Sequence, residues 1–329
     1  MTRSGWITPV LLALLALLIA ISLLIGRVWL DPRAIVHEAF SPAPQVAGLI
    51  VTELRLPRTL LACLVGATLG LSGAVLQGFT RNPLAEPGLL GVSAGASLGA
   101  VIAIYFGMAS LFEFTAPIMG LAGALGASAL TFALGRNGGT LALILAGAAV
   151  SGLAAALISV ALNLAPNPYA AYEIMTWLLG SLSDRSWNHV WLILPFVIVG
   201  CTMLLYTAKG LDALSLGEVQ AQSLGIDLKR LRVLVVLGTA LSVGASTSVT
   251  GAIGFVGLVA PHLIRPLVGA HPRKILVPAA ALGALLLLLA DIATRLIRIG
   301  PEIKLGVITS LVGTPFFFWL VVRLRRTSP

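Results

Sequence analysis

Apolar runs long enough to cross a bilayer recur from one end of this chain to the other, and no other feature limits its fold so strongly. A hydrocarbon core about 30 Å thick takes roughly 20 apolar residues in a helix. Such runs stand at about 6–26, 58–79, 90–107, 114–135, 140–163, 189–208, 231–250, 252–268, 275–293 and 304–324. They are rich in Leu, Ala and Gly and lack the ~10-residue alternation of barrel strands. The reading is an all-α polytopic membrane protein with about ten transmembrane helices. A soluble domain carries about 25% charged residues; here 10% are charged and 58% hydrophobic. The eighth run is short, holds Gly251, Gly254 and Gly257, and is closed by Pro261 and His262.

The first run exceeds the apolar core of a secretory signal, and no small-x-small cleavage site follows it, so it reads as a retained span. The longest gaps, about 27–57 and 164–188, are loop-sized, so residues 1–329 read as one transmembrane domain. Cys63 and Cys201 lie inside apolar runs with no metal or redox spacing and read as small buried hydrophobes.

Lys and Arg mark the cytoplasmic side of a membrane protein. An even span count puts both termini on one face. With the termini inside, the cytoplasmic face holds 13 of the 21 basic residues against Glu86, Asp212, Glu218 and Asp227, and the outer face holds eight of each sign. Both termini are therefore placed in the cytoplasm. RNPLAEPG, residues 81–88, becomes a cytoplasmic turn whose prolines stop one helix and start the next.

Gly66, Gly70 and Gly73 share one helix face, as do Gly91, Gly95 and Gly99, and such stripes let backbones approach closely. Tight packing and a path-lining surface are both open at this point. Gly91-Val-Ser93-Ala-Gly95 matches a nucleophile elbow in letters only, since the elbow needs a strand-turn-helix setting. Gly70-Leu-Ser72-Gly73 lacks a histidine within the membrane to activate its serine. No HExxH pair and no nucleotide-binding loop occurs. The chain reads as non-catalytic, with no metal site.

Several charges break the orientation rule. Arg55 and Arg58 stand at the outer mouth of the second span; Arg295 and Arg298 follow the ninth. Asp291 and Arg295 are four apart, in the favourable acid-before-base order, and an intramembrane acid beside a base is ordinarily a satisfied pair. Headgroup snorkelling and a cationic ring around an outer vestibule, taking carboxylates two at a time, are both compatible with the arginines. On the inner side the loop 209–230 places Leu216, Val219 and Leu224 at near-helical spacing, bracketed by Gly217 and Gly225. Its polar face is Glu218, Gln220, Gln222 and Ser223 rather than a row of lysines, which favours a groove on a protein partner over lipid alone.

The run from Arg55 to Ala96, RLPRTLLACLVGATLGLSGAVLQGFTRNPLAEPGLLGVSAGA, resembles the FecCD-type permease subunits of ABC importers for iron-siderophores, haem and cobalamin. So do WLLGSL (177–182), SLGEVQAQSLGI (215–226), GAIGFVGLVAPHLIRPLVG (251–269), the run at 276–291 and VITSLVGTPFFFWL (307–320). The resemblance covers nearly the whole chain in order. It implies a type II importer permease in the inner (plasma) membrane, built as a homodimer among membrane lipid. It also implies two ATPase subunits below and a periplasmic or lipid-anchored binding protein above. No nucleic-acid partner is implied, and the ATP and Mg belong to the ATPase, so this chain is expected to hold no cofactor.

By the same resemblance, Arg55, Arg58 and Arg295 match positions that receive acidic residues of the binding protein. Leu216, Gly217, Glu218, Val219, Leu224 and Gly225 match the element that couples to the ATPase. Gln77, Arg81, Asn82, Pro83, Glu86, Pro87 and Ser93 fall at the cytoplasmic end of the pathway. One departure stands out: the family's Glu-Leu-Pro-Val-Gly before the last span is here Glu302-Ile303-Lys304-Leu305-Gly306, with a proline lost and a cation gained. An ion-gradient-driven transporter is the alternative. It needs a mid-membrane ion site, for which only Asp291 and Glu86 are available, each near a membrane face.

Overall fold

A computed structural model describes residues 6–26, 46–110, 112–136, 138–269, 271–297 and 302–327. The described elements are helices: α1 Ile7–Leu24, α2 Val46–Thr80, α3 Val92–Tyr105, α4 Thr115–Gly135, α5 Gly139–Asn163, α6 Pro168–Leu178, α7 Trp187–Leu214, α8 Glu218–Ser223, α9 Leu228–Thr250, α10 Val256–Val268, α11 Pro272–Leu296 and α12 Leu305–Thr327. Seven are long and apolar enough to cross a membrane, and three shorter apolar stretches, α3, α10 and Leu305–Leu320 of α12, stand where the remaining spans were expected. "Outer" and "inner" below follow the orientation read from charge.

Local chemistry sets the helix ends. Asp227 caps α9 by accepting the amides of Lys229 and Arg230 at 2.8 and 3.1 Å. Asn167 caps α6 by accepting that of Ala170 at 2.8 Å, as short polar side chains do for the unpaired first-turn amides. Prolines 168 and 272 occupy first-turn positions, where the missing N–H costs nothing.

The glycine stripes are packing surfaces. A Cβ on Gly66 or Gly70 would overlap the α11 backbone at Gly283, Ala284 and Ala279, and one on Gly73 would overlap Gly257 of α10. Gly95 and Gly99 meet Gly123 and Met119 of α4 in the same way. Without a hydrophobic drive between lipid-bathed helices, this close approach supplies the van der Waals contact that holds them. α2 is the centre of the bundle, enclosed by α7, α9, α10 and α11.

Several elements differ from the sequence reading: α2 begins at Val46 rather than about 58, and α7 runs on to Leu214 rather than about 208. The gap at 164–188 contains the helix α6, which buries Ala170 and Ile174 and leaves Tyr169 and Tyr172 exposed. The eighth span starts only at Val256, because Gly251–Phe255 is not helical; Gly251 (φ 73°) and Phe255 (φ 67°) sit in the left-handed region. A phenylalanine there is unusual.

Candidate functional site

At the outer mouth the sequence-predicted arginines converge on one buried carboxylate. Arg58 Nε donates to Asp291 Oδ1 at 2.9 Å, and its Nη2 reaches Thr294 Oγ1 at 3.2 Å and Glu302 Oε1 at 2.5 Å. Arg295 pairs with the other Asp291 oxygen, one helical turn away. Its Nη1 also donates to the Ser22 carbonyl at 3.0 Å. Arg55 donates to the carbonyls of Leu23 and Leu24 at 2.9 and 2.8 Å.

Arg55 and Arg295 thus cap the C-terminal turn of α1. That turn has carbonyls without intrahelical partners and the negative end of a helix dipole. The sequence reading left an outward ring open, yet Arg55 and Arg295 are each only 7% exposed. Asp291 is fully buried, and such a group keeps its charge only by pairing. Three guanidiniums meet two carboxylates, leaving the cluster with one net positive charge. Arg58 and Glu302 are its most accessible members, with 15% and 22% of their side chains exposed.

Below the cluster three chain segments meet. Ser181 N donates to the Thr250 carbonyl at 2.7 Å and Gly306 N to the Gly180 carbonyl at 3.3 Å. A Cβ at Gly306 would strike the carbonyls of Leu179 and Ala252, so only glycine seats α12 here. This junction borders a cavity of about 690 Å³ lined by Leu179, Ala252, Gly254, Gly306, Ser310 and Thr314. Leu178, Val307, Leu311 and Pro315 complete a mostly apolar wall that holds no charge.

At the inner end, Arg81 closes α2 in the left-handed conformation (φ 52°), and Asn82 Oδ1 accepts the Leu84 amide at 2.9 Å. Arg81 and Asn82 are exposed, whereas Pro83, Glu86 and Ser93 are half-buried. Gln77, Glu86 and Pro87 converge on the first half of α10. Gln77 donates to the Leu258 carbonyl at 3.3 Å and accepts from Arg265 at 3.0 Å. Pro87 packs on Gly257, and Glu86 accepts the backbone N–H of Phe255. Burial pushes the Glu86 carboxyl up from its ordinary value, and the Phe255 bond partly offsets that rise. Gln77 is therefore a helix-to-helix tie, 1% exposed, rather than an open path wall. Arg265 and Phe255 escaped the sequence reading; the only signal was a basic residue inside an otherwise apolar run.

The segment 216–225, expected to couple to the ATPase, is held at both ends by turns and is apolar on its open side. Gly217 (φ 116°) and Gly225 (φ 81°) bracket α8. Ala221 is buried beneath it, and Glu218 Oε1 accepts Thr140 Oγ1 at 3.3 Å, tying it to α5. Leu216, Val219 and Leu224 are 64%, 71% and 63% exposed.

A helical bundle with a charged outer cluster, a mostly apolar cavity and an apolar inner ridge defines a multi-pass transport permease. The chain matches the FecCD transport family over residues 14–323, and it belongs to that family. It is 39% identical over 317 residues to the vitamin B12 import system permease protein BtuC of Escherichia coli O9:H4 (strain HS), covering 96% of this chain and 94% of that one. It is 38% identical over 283 residues to the ABC transporter permease protein YvrB of Bacillus subtilis (strain 168), covering 84% and 80%. Among solved structures, a metal-chelate type ABC transporter in an inward-facing conformation superposes with a TM-score of 0.86 at 34% identity, covering 97% of this chain and 99% of that one.

Proposed function

We propose that this chain is the membrane-spanning permease subunit of a binding-protein-dependent ABC importer in the inner (plasma) membrane, and that it carries cobalamin or an iron chelate. The observation that carries the reading is the apolar ridge of Leu216, Val219 and Leu224, held on a rigid frame at the inner face. A ridge of that kind has a place in a groove on a soluble partner. Closure of the ATPase on nucleotide would push on α8 and rock the bundle between two arrangements, with the partner's differential binding supplying the bias.

The whole chain acts as one permease domain without chemistry of its own, ATP and Mg remaining on the ATPase. Two copies would enclose the pathway, with lipid around the remaining apolar faces of α1 and α5. The turn 81–88, tied to α10 by Glu86 and Pro87 and flanked by Gln77 of α2 and by Ser93, serves as the cytoplasmic gate. Arg58 is the contact for an acidic residue of the binding protein, with Arg55 and Arg295 positioning the cluster around it. Substrate choice rests on likeness to the vitamin B12 and metal-chelate relatives.

The test is uptake of labelled cobalamin and of a ferric chelate into proteoliposomes holding the complex purified with its ATPase. Uptake that needs ATP and ignores a protonophore is expected. Uptake that collapses with the gradient at constant ATP would transfer the assignment to a secondary transporter.

A further inference from the structure

Arg58 already holds a carboxylate where a docking partner's would go. Of the two acids on its guanidinium, Asp291 is fully buried, whereas Glu302 keeps 22% of its side chain exposed. An approaching group therefore meets Glu302 first. Glu302 also has a mechanical connection that Asp291 lacks. It lies four residues before Gly306, whose amide is bonded to Gly180 and whose Cα is pressed against the Leu179 and Ala252 carbonyls. Those residues border the cavity of about 690 Å³. A segment this short reaches at most about 14 Å, so the position of Glu302 limits where Gly306 can lie.

We propose that Glu302 is a built-in stand-in for a partner's carboxylate: an acidic side chain of the docking protein replaces it on Arg58, and residues 302–306 are thereby released to move with the outer end of α12. The inference rests on the docking reading above. Exchange of one carboxylate for another keeps Arg58 paired throughout, so no charge in the cluster is left without a partner. The displaced Glu302, already 22% exposed, turns further toward water. Without Glu302 the cluster carries two net positive charges in place of one, which strengthens its attraction for an acidic surface as the exchange proceeds. Docking and opening of the outer end are then one event.

The experiment uses the permease–ATPase complex in nanodiscs, with the binding protein captured on that complex from the same cells as the probe. Docking affinity and amide hydrogen exchange over residues 303–308 are read for wild type, Glu302→Gln and Arg58→Gln. Removing the competitor in Glu302→Gln is expected to tighten docking about fivefold, the scale of one partly exposed charge pair. It should also speed exchange over 303–308 without the probe. Arg58→Gln is expected to weaken docking about tenfold or more. The lost negative charge alone would also tighten docking in Glu302→Gln, so the diagnostic sign is tighter docking in Glu302→Asp, which keeps the charge, together with faster exchange over 303–308. Unchanged or weaker docking in Glu302→Gln, with Arg58→Gln weakened, overturns the exchange and leaves the docking reading standing. Unchanged docking in Arg58→Gln removes the docking reading and the exchange with it. Glu302→Asp keeps the charge but withdraws it by one methylene. It is expected to shift docking in the same direction by less, and it decides the matter if the Gln variant fails to assemble.

Discussion

At the outer mouth, Arg55, Arg58 and Arg295 turn inward onto Asp291, Glu302 and the last carbonyls of α1. At the inner face, Leu216, Val219 and Leu224 stand in water. The charged end is closed on itself and the apolar end is open. The difference follows from what each costs unpartnered. A guanidinium at a membrane mouth that is not matched by an anion carries a penalty of several kcal/mol, so it must be satisfied within the chain before any partner arrives. An exposed leucine costs about 1–3 kcal/mol of forgone burial, which a monomer can bear and an interface recovers. If both ends are the partner surfaces proposed above, the one made of charge is found already occupied and the one made of hydrocarbon is found bare.

The sharpest way to break the comparison is Asp291→Ala. It leaves Arg58 with Glu302 and Thr294 and strips Arg295 of its carboxylate partner, and about 3–5 kcal/mol of stability is expected to go. The measurement is thermal unfolding in detergent alongside membrane yield. Retention of wild-type stability would mean the outer cluster is not held together by its buried acid. Next in size, Leu216→Asp combined with Leu224→Asp should lower ATP-driven uptake more than tenfold. Because both sites are exposed, the melting temperature should stay within the range of a neutral surface change, about 0.5 kcal/mol. Equal losses of stability and uptake would show that the ridge is part of the fold rather than an open seat.

The smallest effect concerns Glu86, the one acid of the inner turn with a displaced titration. Its carboxyl is raised in the folded protein, so the folded state binds the proton more tightly than the unfolded chain does. Stability from this group is present at low pH and declines as pH rises from the ordinary value of 4.5 toward the raised one. Glu86→Gln should flatten that decline, read as melting temperature against pH, while its amide oxygen still accepts from Phe255.

The spans were legible because apolar runs of bilayer length admit few other structures, and the glycine stripes because spacing of three and four fixes a face. The pair Asp291–Arg295 was legible for the same reason. Arg58–Asp291 and Arg58–Glu302 were not, since 233 and 244 residues separate the partners and only the packing of α2 on α11 brings them together. Phe255 was hidden because nothing in a phenylalanine announces a positive φ. The helix α6 was taken for loop because its prolines and Asn167, which cap its start, read as breakers when seen without the buried face of Ala170 and Ile174. The proposed coupling segment could be located from residue types alone, but its rigidity depends on Ala221 beneath it and Thr140 beside it.

The most direct test of the account places a photo-crosslinking amino acid at Val219, the most exposed residue of the inner ridge, and irradiates native membranes. The account predicts a covalent adduct with an ATP-hydrolysing subunit, lost when Leu216 and Leu224 are made acidic. Adducts with lipid alone would contradict it, and would leave the ridge as a membrane-surface contact rather than the seat of the motor.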